Sequence, residues 1–250
     1  MITIIIPFYN EESKNKKSLL LFLKDLSKYI SLNFNNKNKF ILIDDGSRDK
    51  TVTVIEEFIH KLKKKHKNKV LFLRNEKNKG YGYSVKRGFK ISKTKYVTIL
   101  PSDYDSPFLD YRKFTSKNID LVMFYRFNLE KYSRGRLILS TLFVLIYNVV
   151  FDLKVNYIQS GCLYKLSAIK KIKVNADGGA NYLSELAVKL LRSNITYTEV
   201  PIYFKNKSII DRTVSFVNFM KVAKDLILTY LDVSILNKKK YKVRAKKIYL

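Results

Sequence analysis

The sequence predicts an α/β fold with a mostly parallel sheet flanked by helices, and three stretches predict it most directly. IIIPFYNEE (4–12) and FILIDDGSRDKT (40–51) are apolar, β-branched runs that stop abruptly in carboxylates, turn formers and hydroxyls. YVTILPSDYD (96–105) ends in the same way. A strand buried on both faces reads as a continuous apolar run, and ligands of open α/β sheets gather outside the carboxyl ends of such strands. Tyr9, Asn10, Glu11, Asp44 and Asp45 are therefore expected on one rim.

The remaining elements follow in order. After the first strand, Leu19, Leu23, Leu26 and Ile30 recur at helical spacing, and Val52, Ile55, Ile59 and Leu62 do so after the second. A third strand is expected at 70–73, a helix at 80–92, a fourth strand at 96–100 and a fifth at 119–125. This alternation implies right-handed crossovers between parallel strands. The second half is less regular: an apolar helix over 136–151, a strand over 157–164, a helix over 182–192, a strand over 195–204 and a last helix over 214–236. With no internal repeat and no Gly/Ser-rich linker, the expected organisation is one main domain over 1–212. The helix and basic tail of 213–250 belong to the same chain unit.

Composition bounds the function. A chain of 250 residues with 46% apolar content can build a full core. Its formal charge of +28 is the outlying property, with basic runs at 61–69 and 238–247. Codon drift produces part of it, since Asn, Ile, Tyr and Phe are also abundant while Gly (8) and Pro (4) are scarce. The functional reading is attraction to phospholipid headgroups, nucleic acid or phosphorylated substrates. The lone Cys162 cannot close an internal disulfide and fits a reducing compartment. No secretory signal is evident, and no apolar stretch reaches the ~18 residues that span a bilayer. A cytoplasmic chain, peripheral on a membrane, is expected.

Asp103 and Asp105 carry the sharpest chemistry. In an extended segment, residues i and i+2 share a face, so Asp-x-Asp offers two carboxylates to one hard cation. On its own the same spacing is common turn chemistry, as is Asp44-Asp45-Gly46-Ser47. The order of these strand ends decides between the two. Ile4 to Glu12, Asp44-Asp45-Gly46-Ser47 with Asp49 and Thr51, Asn78-Lys79-Gly80-Tyr81-Gly82 and Ser102-Asp103-Tyr104-Asp105 together resemble the motifs of family 2 glycosyltransferases with the GT-A fold. The resemblance covers roughly residues 1–110. It implies a nucleotide-sugar donor whose nucleobase and ribose are lined by Pro7, Tyr9, Glu11 and Asp44, with Asp45 nearby, and a Mg²⁺ or Mn²⁺ ion on Asp103 and Asp105.

The second half is similar to dolichol-phosphate mannosyltransferases and related polyprenyl-phosphate glycosyltransferases: Arg126, Arg136, Ser140, Ser160-Gly161-Cys162, Glu185, then Glu199-Val200-Pro201-Ile202 leading to Lys207 and Arg212. By that resemblance Arg126, Arg136, Ser140 and Arg212 hold the acceptor phosphate, Arg126 beside the reacting centre, and Lys207 serves the donor diphosphate. Arginine's planar fork suits phosphate. The chain departs from the pattern in having Ser106-Pro107 after the metal motif and Ile210-Asp211-Arg212-Thr213 in the acceptor loop.

Family 2 enzymes invert configuration in one in-line displacement. A hydroxyl acceptor needs a general base, for which Glu185 and Asp177 are the candidates, whereas a monoalkyl phosphate needs none. A polyprenyl acceptor must be met at the bilayer. In the last helix Asn218, Lys221, Asp225, Thr229 and Asp232 form one narrow polar stripe, and the rest is largely apolar. That face suits a membrane interface, a separate membrane-anchor subunit or the helix at 136–151, with the basic tail adding attraction to an anionic surface. A saccharide hydroxyl acceptor is the alternative on the same fold. Nucleic-acid binding is disfavoured, because the charge is scattered and no recognition element is present.

Overall fold

The computed structural model describes residues 1–32, 37–102, 108–128, 134–159, 161–175, 181–203 and 216–249, without the side chains at 136 and 216–219. The chain divides into two compact units, Met1–Tyr111 and Arg112–Leu250.

The first unit runs β1 (Ile2–Phe8), α1 (Glu11–Leu32), β2 (Lys39–Asp44), α2 (Thr51–Lys61), α3 (Lys64–Lys67), β3 (Val70–Arg74), α4 (Tyr81–Ile91) and β4 (Tyr96–Ile99). Its strands lie in the order β3-β2-β1-β4, all parallel. Every residue of β1 is buried, as is every residue of β2 after Lys39, which is why both read as unbroken apolar runs. The edge strand β3 has no fully buried position. Helix α1 buries Leu19, Phe22, Leu23, Leu26 and Ile30, the expected stripe with Phe22 added. It is broken at Asn15, whose side-chain oxygen accepts the Ser18 N–H and restarts the helix. Gly88 lets α4 lie directly on β1, because a Cβ there would stand 2.7 Å from the Ile5 side chain.

Helix α2 is turned relative to expectation. Ile55 and Leu62 are buried as the spacing requires, but Thr51 and Phe58 take the remaining inward positions in place of Val52 and Ile59. The Thr51 hydroxyl accepts the Glu12 N–H at 3.0 Å, and that bond fixes the rotation of the helix.

The second unit contains α5 (Arg112–Thr115), β5 (Leu121–Arg126), α6 (Arg134–Val150), β6 (Cys162–Lys165), α7 (Leu166–Ile169), α8 (Asn181–Leu191), β7 (Thr196–Ile202), α9 (Phe216–Tyr230) and β8 (Lys246–Lys247). A π-helical turn, Leu231–Leu236, continues α9. The strand order is β6-β5-β7-β8, with only β6 antiparallel to its partner β5. The strand expected at 157–164 shrinks to Cys162–Lys165. Asn148 takes up both the N–H and the C=O of Val155, which holds the chain after α6 in a local turn.

The basic tail is tied down rather than free along its length. Lys246 and Lys247 form β8 beside β7, the Lys247 ammonium lies 2.6 Å from Glu199, and Tyr241 is buried. Every residue of α8 is buried, Glu185 and Lys189 included.

Candidate active site

Three strand ends meet at one rim of the first unit. Phe8 is in register with Asp44, so β1 and β2 stop at the same level, and the Asp45 N–H continues the ladder to the Phe8 carbonyl at 2.8 Å. On the other side of β1 the ladder to β4 closes with Ile5 paired to Ile99 and the Leu100 N–H donating to the Ile5 carbonyl. Pro7 follows where that ladder has ended, so its missing N–H costs no pairing there. Its carbonyl instead accepts the Ser102 hydroxyl at 2.9 Å. Asp103 is thus the next residue after a side chain anchored to this rim. Asp103 and Asp105 themselves lie outside the described residues.

The two adjacent aspartates have opposite duties, as consecutive positions of an extended chain point to opposite sides. Asp45 is a scaffold. Its Oδ1 accepts from Asn75 Nδ2 (2.7 Å), the Lys79 N–H (3.1 Å) and Ser84 Oγ (3.1 Å), and its Oδ2 from the Gly80 N–H (2.8 Å). Those four bonds fill the capacity of a carboxylate and pin the Asn78-Lys79-Gly80 approach to α4. Asp45, which the sequence reading places beside the nucleotide, holds the approach to α4 in this structure. Asp44 is fully buried; its Oδ2 accepts the Ser47 N–H at 3.0 Å and faces Arg74 Nε at 3.5 Å, while its Oδ1 has no hydrogen-bond partner among the described residues. A buried acceptor left open at a rim fits a ligand donor. Gly46 makes the juxtaposition possible: at φ +71° it brings the turn so close to Lys77 and Asn78 that a Cβ would sit 2.4 Å from a backbone carbon.

The loops around this acceptor are cross-braced. The Asn10 N–H donates to Ser47 Oγ, the Arg48 N–H to Asn10 Oδ1, and the Ser13 N–H to Asp49 Oδ2. Burial raises the Asp49 carboxyl somewhat, but the bonds from Thr51 and Ser13 outweigh it and hold the pKa below the ordinary value. Lys14 joins two predicted ligands: its Nζ is 2.8 Å from Glu11 Oε1, 2.5 Å from the Tyr9 carbonyl, and over the Tyr9 ring. Pro7, Tyr9, Glu11 and Asp44 therefore share the rim, as the strand ends imply. Asn75, Ser84 and Arg87, which brace it, carry no local sequence signal.

In the second unit Arg126 is buried at the carboxyl end of β5, level with Ile202 of β7. Lys207 and Arg212, which follow β7 in sequence, lie outside the described residues. Ser140 is half-buried on α6, where Arg136 also sits. Glu185 accepts the Asn175 N–H and pairs with the Lys189 ammonium at 2.5 Å, and Asp177 is outside the described residues. Among the described residues no group of three or more His, Cys, Asp and Glu is arranged for a metal. The hard oxygen donors of Asp103 and Asp105, following directly on Ser102, have the chemistry that Mg²⁺ or Mn²⁺ takes.

A mostly parallel α/β sheet gathers its ligands outside the carboxyl ends of its strands, which is where the open Asp44 acceptor lies. The chain belongs to Glycosyl transferase family 2, whose sequence profile matches residues 3–173. It is 34% identical over 161 residues, 59% of this chain, to an uncharacterized protein of Methanocaldococcus jannaschii, of which the match covers 64%. It is 29% identical over 112 residues to a dolichyl-phosphate beta-glucosyltransferase of Dictyostelium discoideum, covering 45% of this chain and 33% of that one. The chain thus spans less than two thirds of these relatives. Among solved structures, glucosyl-3-phosphoglycerate synthase from Mycobacterium tuberculosis in complex with UDP matches with a TM-score of 0.60 at 14% identity, over 93% of this chain and 79% of that one. S. aureus TarS in complex with UDP-GlcNAc matches with a TM-score of 0.58 at 16% identity, over 96% and 69%. The shared fold is of the GT-A kind.

Proposed function

We propose that the protein transfers one sugar, with inversion, from a nucleoside-diphosphate sugar to a polyprenyl phosphate of the dolichyl type, working as a peripheral enzyme on the cytoplasmic face of a membrane. The observation that carries the reading is the buried Oδ1 of Asp44 at the strand-end rim, without a partner among the described residues and next to Pro7, Tyr9 and Glu11. There it accepts a hydrogen bond from the donor's base or ribose. Lys207 serves the diphosphate. Asp103 and Asp105 would hold Mg²⁺ or Mn²⁺, which when bound would neutralise charge on the leaving diphosphate. Solved relatives of this fold carry UDP, UDP-GlcNAc, or Mn²⁺ with UDP-glucose, so UDP-sugars are the donors to test first, with GDP-mannose second.

Arg126, Arg136, Ser140 and Arg212 receive the acceptor phosphate. One phosphate oxygen attacks the anomeric carbon as the bond from that carbon to the nucleoside diphosphate breaks, and the diphosphate leaves with the electron pair. A phosphate monoester has its second pKa around 6, so the attacking oxygen is already anionic at neutral pH. That suits a site in which Glu185, the described residue offered as a base, is committed to Lys189. The dolichyl-phosphate relatives point to the same acceptor class.

The test uses radiolabelled UDP-glucose and GDP-mannose with membranes containing polyprenyl phosphate. Label is expected to partition into organic solvent, and to stay there at pH 7 in a Glu185→Gln variant that remains folded. Label appearing only in water-soluble saccharide would replace the lipid phosphate with a hydroxyl acceptor.

A further inference from the structure

Helix α9 sits on its unit the opposite way round from an ordinary surface helix. Three members of its polar stripe face inward: Asp225 accepts Asn181 Nδ2 at 2.6 Å, Thr229 is buried, and Asp232 lies 2.5 Å from the buried Lys189 ammonium. Asn175 and Asn237 donate to the same Asp232 carboxylate. Meanwhile Met220, Ile227, Leu228, Leu231, Ile235 and Leu236 of α9 and its π-helical turn are exposed. Helix α6 repeats the pattern. Tyr147 packs inward, while Ile138, Leu139, Leu142, Leu145, Ile146 and Val149, three or four residues apart, are exposed. The ring of Phe151, just past the end of α6, lies 6.5 Å from that of Tyr230 at the end of the α-helical part of α9.

We propose that these outward apolar faces of α6 and α9 dock the chain on an anionic lipid bilayer, lying in the headgroup–acyl boundary. The charge distribution selects this occupant. The exposed charges of the two helices and the turn after α9 are Arg134, Lys221, Lys224, Lys238, Lys239 and Lys240 among the described side chains. Their only acids within the described residues, Asp225 and Asp232, are turned inward onto hydrogen-bond partners. The exposed carboxylate that follows α6, Asp152, is paired with Arg192 and Arg244, and a surface of aliphatic side chains studded with cations matches anionic headgroups over acyl chains. The long lysine stems can lie along the apolar face with their ammonium groups at the phosphates. The polar stripe then holds helix to protein on the side where lipid cannot.

The proposal gives the lipid acceptor of the proposed function its surface and rests on that reading for its purpose, but docking is measurable without donor or acceptor. The experiment is co-sedimentation of the full chain with phosphatidylcholine vesicles with and without phosphatidylglycerol. Binding is expected only to the anionic vesicles, and to fall about tenfold or more in Ile227→Asp and in Leu145→Asp, each removing one exposed aliphatic side chain that the bilayer would bury. Unchanged melting temperatures in both variants secure the fold. Equal binding by the variants, or binding indifferent to phosphatidylglycerol, overturns the proposal. So does a concentration-dependent dimer that both substitutions dissolve while vesicle binding is absent, which assigns the face to a second copy. Absence of sugar transfer alongside normal vesicle binding would remove the proposed reaction and leave the docking face standing.

Discussion

Replacing Lys189 by Ala is expected to destabilise the protein by about 3–5 kcal/mol, the cost of stripping one partner from a buried ion cluster. The ammonium is almost fully buried and holds Glu185 Oε1, Asp232 Oδ2 and the Lys173 carbonyl at 2.5, 2.5 and 2.7 Å. Without it two carboxylates face each other with no cation between them. On a domain of this size the loss corresponds to a fall of about 6–20 °C in melting temperature. A Lys189→Met, Glu185→Leu double variant should recover part of that loss, since apolar replacement of a buried pair is often neutral.

The cluster also sets a pH response. Burial works against the Lys189 charge, but its bonds to Asp232 and Glu185 prevail and raise its pKa. Burial likewise opposes ionisation of Asp232, and the bonds from Lys189 and Asn237 lower its pKa. A raised lysine contributes fully below its unfolded value and loses that contribution as pH climbs through the folded one. A lowered aspartate contributes above its unfolded value and loses it as pH falls through the folded one. The contribution is therefore flat between about pH 4 and 10, declining outside that window. Urea melts of the wild type and of Lys189→Ala across pH should converge at the acid and alkaline ends. A difference that persisted undiminished there would remove the ion cluster as its cause.

The second large effect is expected at Asp105. Asp105→Ala should lower turnover by about three orders of magnitude, a loss of several kcal/mol of charge stabilisation. Thermal stability should be unaffected, since the bonds of Asp45 and Asn75 and the close turn at Gly46 brace the rim independently of Asp105. Chelation of the wild type should bring activity down to the same residual level. Full activity in Asp105→Ala, or a variant still sensitive to chelator in the wild-type manner, would take the metal role away from this residue.

How much the sequence disclosed depends on the range of the interaction. Strands β1, β2 and β4 announce themselves because burial on both faces demands continuous apolar runs, and their polar ends mark the rim. The division of labour between Asp44 and Asp45 is invisible in a pair of identical residues. It is set by Asn75, Ser84 and the Gly80 N–H, brought in from 30 or more positions away. The polar stripe of α9 is legible as a stripe, but its direction is not. Its contacts with Asn181 and the buried Lys189 on α8 show that the stripe turns inward. The tail reads as a run of charge, while pairing with β7 and the Glu199–Lys247 contact make part of it a strand. Truncating 237–250 would therefore remove sheet structure along with charge, and point substitutions are the cleaner probe of lipid binding.

The most direct test of the account is nucleotide-dependent stabilisation, measured as the shift in unfolding free energy with UDP, GDP and their sugars in the presence of Mn²⁺. At about a hundred times its dissociation constant, the correct nucleotide should add about 2.7 kcal/mol to the wild type. Asp44→Asn, which turns the open acceptor into a donor without changing its size, should lose most of that gain. If no nucleotide stabilises the wild type, or if Asp44→Asn is stabilised as strongly, the strand-end rim is not the donor site.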